Sequence, residues 1–275
     1  MTMQLTALVE GAEAESMFAY EADAPPALGA RSARIGGGIV LSVRHDPAGY
    51  WSKALGFGFT EPVTRELVDR VIGFYRAEGT PSATIQIAPV ALPPDWDEIR
   101  AAHGLAPGSP WVKLAAPAAE VRTTAHTGLR VAAVEPRDHA EWTSVLLRGF
   151  GMPTQGLDRM ITAALANPAF QPYGVWDGAD LVGAGNLFVH GPVGVLNGAA
   201  ILPTHRNRGA QSALIAVRAS AARAAGCRWL VAETGKPAAG TTNPSLTNLE
   251  RAGLRVRYAR QNWHWTNDTT GEHDV

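Results

Sequence analysis

Two kinds of apolar spacing alternate along this chain and divide it into a regular series of elements. Residues 130–134 read as a strand. Over 138–149, Trp142, Val145 and Leu146, with Phe150 just beyond, recur at helical spacing, and a second helix is expected over 154–166. Tyr173-Gly-Val-Trp176 and residues 181–189 read as the arms of a hairpin, because Asp177-Gly178 between two apolar runs is a strong turn signal. Gly191-Pro192 punctuates next, and a strand over 198–202 stops at Pro203. An alanine-rich helix over 209–225 has no proline inside it. A strand over 228–233, a short helix over 243–252 ended by Gly253, and a strand over 256–265 complete the run. The order is β-α-α-β-β-β-α-β-α-β.

The amino-terminal half echoes part of that order. A helix over 66–78 ends at Gly79, and a strand over 83–88, a helix over 95–102, the pair Gly104-Leu105 and a strand over 111–114 follow. Gly226, its strand and helix, and the pair Gly253-Leu254 repeat the arrangement, with 25 residues from Gly79 to Gly104 and 27 from Gly226 to Gly253. A degenerate internal duplication is the reading. A chain of 275 residues also exceeds one average domain. The expected division is a first domain over 1–120, a second over 128–265 and a polar, frayed tail over 266–275, with an Ala-, Pro- and Thr-rich linker over 115–127. Gly36-Gly-Gly38 leads into a strand over 39–43 with no Gly-x-x-x-x-Gly-Lys, so a P-loop is not expected. No Gly-x-Gly-x-x-Gly follows a first strand, which argues against a dinucleotide fold.

Composition narrows the partners. With 24 basic and 25 acidic residues and no block of like charge, nucleic acid is a poor partner. No basic start with an apolar core and no run of eighteen apolar residues occurs, so no leader or membrane span is expected and a cytoplasmic location is the default. The single Cys227 opens a strand after a helix, where a small buried side chain belongs, and the eight histidines make no metal pattern, so no metal is expected. His205 lies inside the segment described next; His190, at a strand end, is a surface residue or a base.

That segment, Thr204-His-Arg-Asn-Arg-Gly-Ala-Gln-Ser-Ala-Leu214, places Arg206, Asn207, Arg208 and Gly209 where a strand turns into a long helix. The first helical turn, Ala210, Gln211 and Ser212, has N–H groups without intrahelical partners at the positive end of the helix dipole, which suits a phosphate or pyrophosphate. Arg206 and Arg208 add charge, and Gly209 permits a close approach to the backbone. A solvated basic helix start is the alternative.

Arg206-x-x-Gly209-x-Gln211, with the element order around it, resembles the acyl-CoA signature of the GNAT superfamily of N-acetyltransferases, written Gln/Arg-x-x-Gly-x-Gly/Ala; Gln211 departs from it. The helix ending at Gly253-Leu254 resembles the family's late helix. The resemblance implies an α/β (α+β) fold, a mixed, mostly antiparallel sheet flanked by helices, in two related domains with the amino-terminal one degenerate. It lacks a paired-cation cradle, since Leu55-Gly-Phe-Gly-Phe-Thr-Glu-Pro-Val stands there. The implied cosubstrate is acetyl-CoA, and the implied activity is transfer of acetyl to a small amine or amino acid by direct attack. Backbone N–H groups at Ala199, Ala200 and Ile201 through Leu202 would hold the thioester carbonyl, and Asn243, Ser245 and Asn248 would adjoin the pantetheine arm, unless Asn243 is only a helix cap. The tyrosine that often meets the thiolate is Leu249 here, leaving Asn248 beside it as a hydrogen-bond donor. Glu233 is the best carboxylate for a base, or else a structural strand-end residue. Trp142, Phe150, Met152, Gln155, Trp176 and Asn186 would shape the acceptor site of a monomer or homodimer. An acyl-CoA-binding sensor without turnover is the alternative, and the missing tyrosine favours it.

Overall fold

The structure, a computed structural model, describes residues 2–267. The chain divides into two compact units, Met1–Trp111 with Ala259–Val275, and Val112–Tyr258. In the first unit, helix α1 (Met3–Glu21) precedes strands β1 (Ala30–Ile35), β2 (Gly38–Val43) and β3 (Lys53–Leu55), helix α2 (Arg65–Ala77), strand β4 (Ser82–Gln86), helix α3 (Trp96–Ala102) and the short β5 (Ala106–Pro107). Gly36 and Gly37, both at positive φ, make the two-residue turn between β1 and β2, so the glycine run is a hairpin tip.

The second unit takes up β6 (Trp111–Pro117) from Val112 onward, followed by β7 (Arg130–Ala133). It continues through α4 (His139–Phe150), α5 (Leu157–Ala164), β8 (Phe170–Asp177), β9 (Asp180–His190), β10 (Val193–Ile201), α6 (Ala210–Ala224), β11 (Trp229–Gly235), α7 (Pro244–Ala252) and β12 (Arg255–Arg260). A last strand, β13 (Asn262–Thr266), closes the described chain.

Among the described residues the strands form a six-stranded sheet, β1-β2-β3-β4-β13-β5, and a seven-stranded one, β12-β6-β11-β10-β9-β8-β7. Each contains a parallel pair, β3 with β4 and β10 with β11. Each also holds a strand wedged beside the one that follows its long helix: β13 beside β4, and β6 beside β11. This arrangement revises the sequence reading in three places. The expected strand over 256–265 is two strands, with β12 in the second sheet and β13 antiparallel to β4 in the first, so the units divide after Trp111 and Tyr258. Residues 115–117, assigned to a linker, end β6, where Ala115 and Ala116 are fully buried. At the expected frayed tail, Thr266 pairs with Ser82, and Asn267 is buried with its N–H on the Pro81 carbonyl; the rest of the tail lies outside the described residues.

Helix α1 gave no readable stripe because Glu10 and Glu13 point inward. Both pair with the buried Arg260, which also donates to Gln86 at 3.0 Å. Such a cluster tolerates burial only with every partner in place, since removing one partner of a buried pair costs about 3–5 kcal/mol.

Candidate functional site

In the second sheet β10 and β11 are parallel partners from Val193–Trp229 to Val195–Val231, and beyond that pair they part, although both strands continue. On the other flank β10 stays paired with β9, but the register slips between Asn197 and Ala200, with Gly198 at φ 52°. A bulge of this kind re-aims the backbone that follows it. Leu202 donates its N–H to the Val182 carbonyl, so this expected donor is committed to β9. Alternation along an antiparallel strand then turns the N–H of Ile201 to the flank that β11 has left, while Ala200 faces β9. Ile201 and Ala200 are buried, and Ala199 is half-buried.

Below the opening, a short turn over Pro203–His205 leads into α6. Gly209 is the N-cap at φ 78°, and no side chain caps this helix. A Cβ at Gly209 would collide with the His126 carbonyl oxygen, so the chain's own backbone approaches this glycine closely. Thr127 Oγ1 adds a hydrogen bond to the Arg208 carbonyl at 2.7 Å. Asn207, at φ 62°, is the only non-glycine residue with positive φ among the described residues. The cradle is therefore a strained loop clamped by the segment expected to be a linker.

Its cations are more committed than their spacing suggested. Arg206 donates to the Ile201 carbonyl at 3.1 Å and the Gly149 carbonyl at 3.5 Å, bracing the loop against the ends of β10 and α4. Arg208 pairs at 2.6 Å with Asp177, in the β8–β9 turn, and His205 lies 3.5 Å from the same carboxylate. The Arg208 hydrogen bond, with its charge and that of His205, holds the Asp177 carboxyl below its usual range. The first-turn N–H groups of Ala210, Gln211 and Ser212 carry the remaining positive potential.

Gln211 joins the helix start to α7. It donates to Ser245 Oγ at 3.3 Å and accepts from Asn248 Nδ2 at 2.8 Å. Asn243 is the helix cap: its Oδ1 accepts from the N–H groups of Ser245 and Leu246, and its Nδ2 donates to Thr234 and Gly235 at the end of β11. Leu249 is buried. Glu233 sits on β11 past the point where the strands part, with the buried Lys113 of β6 3.6 Å from its carboxylate.

The residues expected around an acceptor scatter. Trp142 is fully buried and donates its indole N–H to the Tyr173 carbonyl, which makes it a core residue instead of a lining one. Trp176 is buried under the guanidinium of Arg130, 3.8 Å from the ring centroid, and Asn186 is buried in β9 beside the bulge. Phe150 is half exposed at the end of α4, with Met152 and Gln155 in the loop after it. His190 pairs with Val193 at the closed end of the strands, away from the opening. Cys227 is buried as expected, and burial pushes its thiol up.

Two residues at the site escaped the sequence reading. Tyr173 packs beside Ile201, Ala210 and Leu214, and burial raises its phenol, so it stays a neutral hydroxyl. Arg218 is buried on α6, and its only signal in the sequence is a cation at an apolar position four residues after Leu214.

The first unit differs at the equivalent helix. Thr64 Oγ1 caps α2 by accepting the Leu67 N–H, and hydrogen bonds from its own N–H and Thr64 hold the Glu66 carboxyl below its usual range. A self-capped, carboxylate-bearing helix start does not attract a phosphate. Phe57, Trp96 and Trp263 fill the core against this helix.

Residues 140–241 match the family model described as Acetyltransferase (GNAT) family. Among solved structures, the chain is similar to a GCN5-related N-acetyltransferase from Kribbella flavida, at 14% identity over 95% of each chain and a TM-score of 0.64. It is also similar to one from Sphaerobacter thermophilus, at 14% identity over 86% of this chain and 76% of that one, with a TM-score of 0.61. A tandem GNAT protein from the clavulanic acid biosynthesis pathway matches at 14% identity over 83% of this chain and 78% of its own, with a TM-score of 0.57. No curated protein sequence matches the chain. The matched segment spans α4 to the end of β11, and so includes the parted strands and the α6 cradle. Residues 140–241 thus match a GNAT acetyltransferase domain, and the fold of the chain as a whole is similar to that of solved GNAT proteins, a tandem one among them.

Proposed function

We propose that the protein is an acetyl-CoA-dependent N-acetyltransferase that moves the acetyl group to the amine of a small molecule or amino acid by direct attack. The observation that carries this reading is the parting of β10 and β11 beyond Val195–Val231 beside an uncapped start of α6. Acetyl-CoA supplies an acyl thioester. The first-turn N–H groups of α6 and Arg208 suit its pyrophosphate, and the open flank of β10 offers backbone donors to the thioester carbonyl oxygen. Asn243 and Ser245, at the start of α7, are the candidates to adjoin the pantetheine arm.

In direct attack the amine nitrogen bonds to the carbonyl carbon, the C–S bond breaks, and the electron pair leaves on sulfur. Glu233 is the candidate to take the ammonium proton. Leu249 offers no acid, and Asn248 supplies at most a hydrogen bond through an amide already spent on Gln211. The thiolate is a fair leaving group without an acid, since a thiol pKa near about 8.5 lies close to physiological pH. A cosubstrate of this kind fits a cytoplasmic site of action.

Thiol release from acetyl-CoA across a panel of amines tests the reading. Binding without acetylation of any amine would favour an acyl-CoA sensor, the role consistent with Leu249. Calorimetry tests the cradle: replacing Arg206 and Arg208 together by Ala is expected to weaken acetyl-CoA binding at least about tenfold, as the brace of the loop and the cation beside the helix start are both lost. An unchanged affinity removes the assignment.

A further inference from the structure

Arg218 stands on the buried face of α6, between Leu214 and Ala222, and is 1% exposed. Its Nη1 donates to the carbonyl of Asn186 at 2.9 Å and that of Asn197 at 3.3 Å, and its Nε donates to the Leu214 carbonyl at 3.0 Å. These backbone acceptors offset the cost of taking a guanidinium out of water. A Cβ on Gly185 would lie 3.2 Å from Arg218 Cζ, so the glycine makes room for the cation against β9.

The two gripped carbonyls mark the place where the ladder slips. Asn186 and Asn197 are cross-strand partners, and the next pair is Ala184 with Ala200, so Gly198 and Ala199 together face the single Gly185. The Asn197–Gly198 peptide is trans, and in a trans peptide the C=O and the N–H point opposite ways. With its oxygen on Arg218, this peptide turns the Gly198 N–H away from the guanidinium. Among the described residues the pairing of β10 with β11 ends at Val195, three residues short of Gly198. A cation on the carbonyl also polarises the amide and strengthens its N–H as a donor.

We infer that Arg218 is a positioning residue for acetyl transfer: it fixes the β10 bulge and polarises the Asn197–Gly198 peptide, so that the Gly198 N–H holds the thioester carbonyl oxygen. The inference rests on the acetyl-transfer reading above. It adds a cause for the bulge and names the donor. The positive charge stays behind the peptide, where it favours an oxygen that gains negative charge more than the neutral carbonyl. Its removal therefore acts on turnover more than on binding.

The test uses the full chain with acetyl-CoA labelled at the acetyl carbonyl carbon, read by difference infrared spectroscopy without an acceptor. In the native protein the bound carbonyl band is expected below its frequency in water. In Arg218→Met it should return toward the free value, and in Arg218→Lys it should lie between. With an amine acceptor, kcat of Arg218→Met should fall about tenfold or more, as for loss of an oxyanion donor, while the acetyl-CoA Kd changes less than about threefold. A folded Arg218→Met with native band position and native kcat overturns the inference. So does a parallel loss of Kd and kcat with an unmoved band, which marks a purely structural residue. If Arg218→Met does not fold, Arg218→Lys decides, and native values in it overturn the role. A native protein that binds acetyl-CoA with an unshifted band also overturns it. A shifted band with no acetylation of any amine sinks the proposed turnover and leaves the Arg218 assignment standing.

Discussion

Gly209 and Glu21 show how much rests on single residues whose roles their types do not announce. Gly209 combines φ 78° with the close approach of the His126 carbonyl. Gly209→Ala therefore faces a left-handed backbone penalty of about 1–2 kcal/mol plus an overpacking cost of about 1–3 kcal/mol. We expect a lower melting temperature and weaker acetyl-CoA binding, measured together by thermal shift with and without acetyl-CoA. A fall in affinity at native stability would instead mean that the ligand approaches this position. Glu21 is buried, with neither carboxylate oxygen hydrogen bonded, and burial pushes its carboxyl well above the usual range, against the nearby charge of Lys53. A folded pKa above the unfolded one means that the native state binds the proton more tightly. The stabilisation is full below about pH 4.3, the ordinary Glu value, and is lost as pH rises through the folded pKa. Glu21→Gln should thus raise the melting temperature at pH 7 to 8, with the gain fading toward pH 4. A gain that grows on acidification would contradict the assignment.

At the scale of elements, the two long helices carry the contrast between the units. α2 is capped by Thr64 and faces the Glu66 carboxylate, whereas α6 starts at Gly209 with no side-chain cap. One acetyl-CoA per chain is the expected stoichiometry in calorimetry, and two sites would overturn the view of the first unit as degenerate. The β8–β9 turn tunes the working helix start, because Asp177 holds Arg208 at 2.6 Å. Asp177→Asn frees that cation and should tighten acetyl-CoA binding by about two- to fivefold at low salt, with the gain shrinking as salt screens it. No change would show that Arg208 never meets the phosphates. The α4–α5–hairpin run and the α6 cradle were readable because their apolar periodicity and turn signals are local. Helix α1 was not, because its buried Glu10 and Glu13 pair with Arg260, far away in sequence. Nor was the committed state of Arg206 and Arg208, which depends on carbonyls and a carboxylate from other elements.

At the scale of the whole chain, the duplication extends to matching polar pairs beside each wedged strand. Gln86 follows Gly79 by seven residues, as Glu233 follows Gly226, and Asn262 follows Gly253 by nine, as Lys113 follows Gly104. Gln86 donates to Asn262 at 2.7 Å in the first sheet, and Lys113 lies 3.6 Å from Glu233 in the second. The pairs are amide with amide in one unit and charge with charge in the other. Because β13 lies between β4 and β5, ending the chain after Gln261 should unfold the first unit's sheet. Limited proteolysis should then cut within 1–111, and native resistance there would show that β13 is dispensable. Glu233 belongs to the same account. If it is chiefly the partner of Lys113, Glu233→Gln lowers stability by removing the carboxylate beside a buried ammonium; if it is the base, turnover falls most at low pH with stability kept.

The sequence by itself determined the element order of the second unit, the echo of that order in the first, and the cradle at the start of α6. These follow from local spacing: helical and strand periods, glycine stops, and a glycine between arginines ahead of a long helix. Only the tertiary structure decided that β13 completes the first sheet, that the His126 carbonyl crowds Gly209, and that Arg218 grips the carbonyls at the β10 bulge. The physical reason is the same in each case. Strand insertion, backbone approach and the partners of a buried cation join residues distant along the chain, and a one-dimensional pattern records what a residue is suited to without recording what it meets.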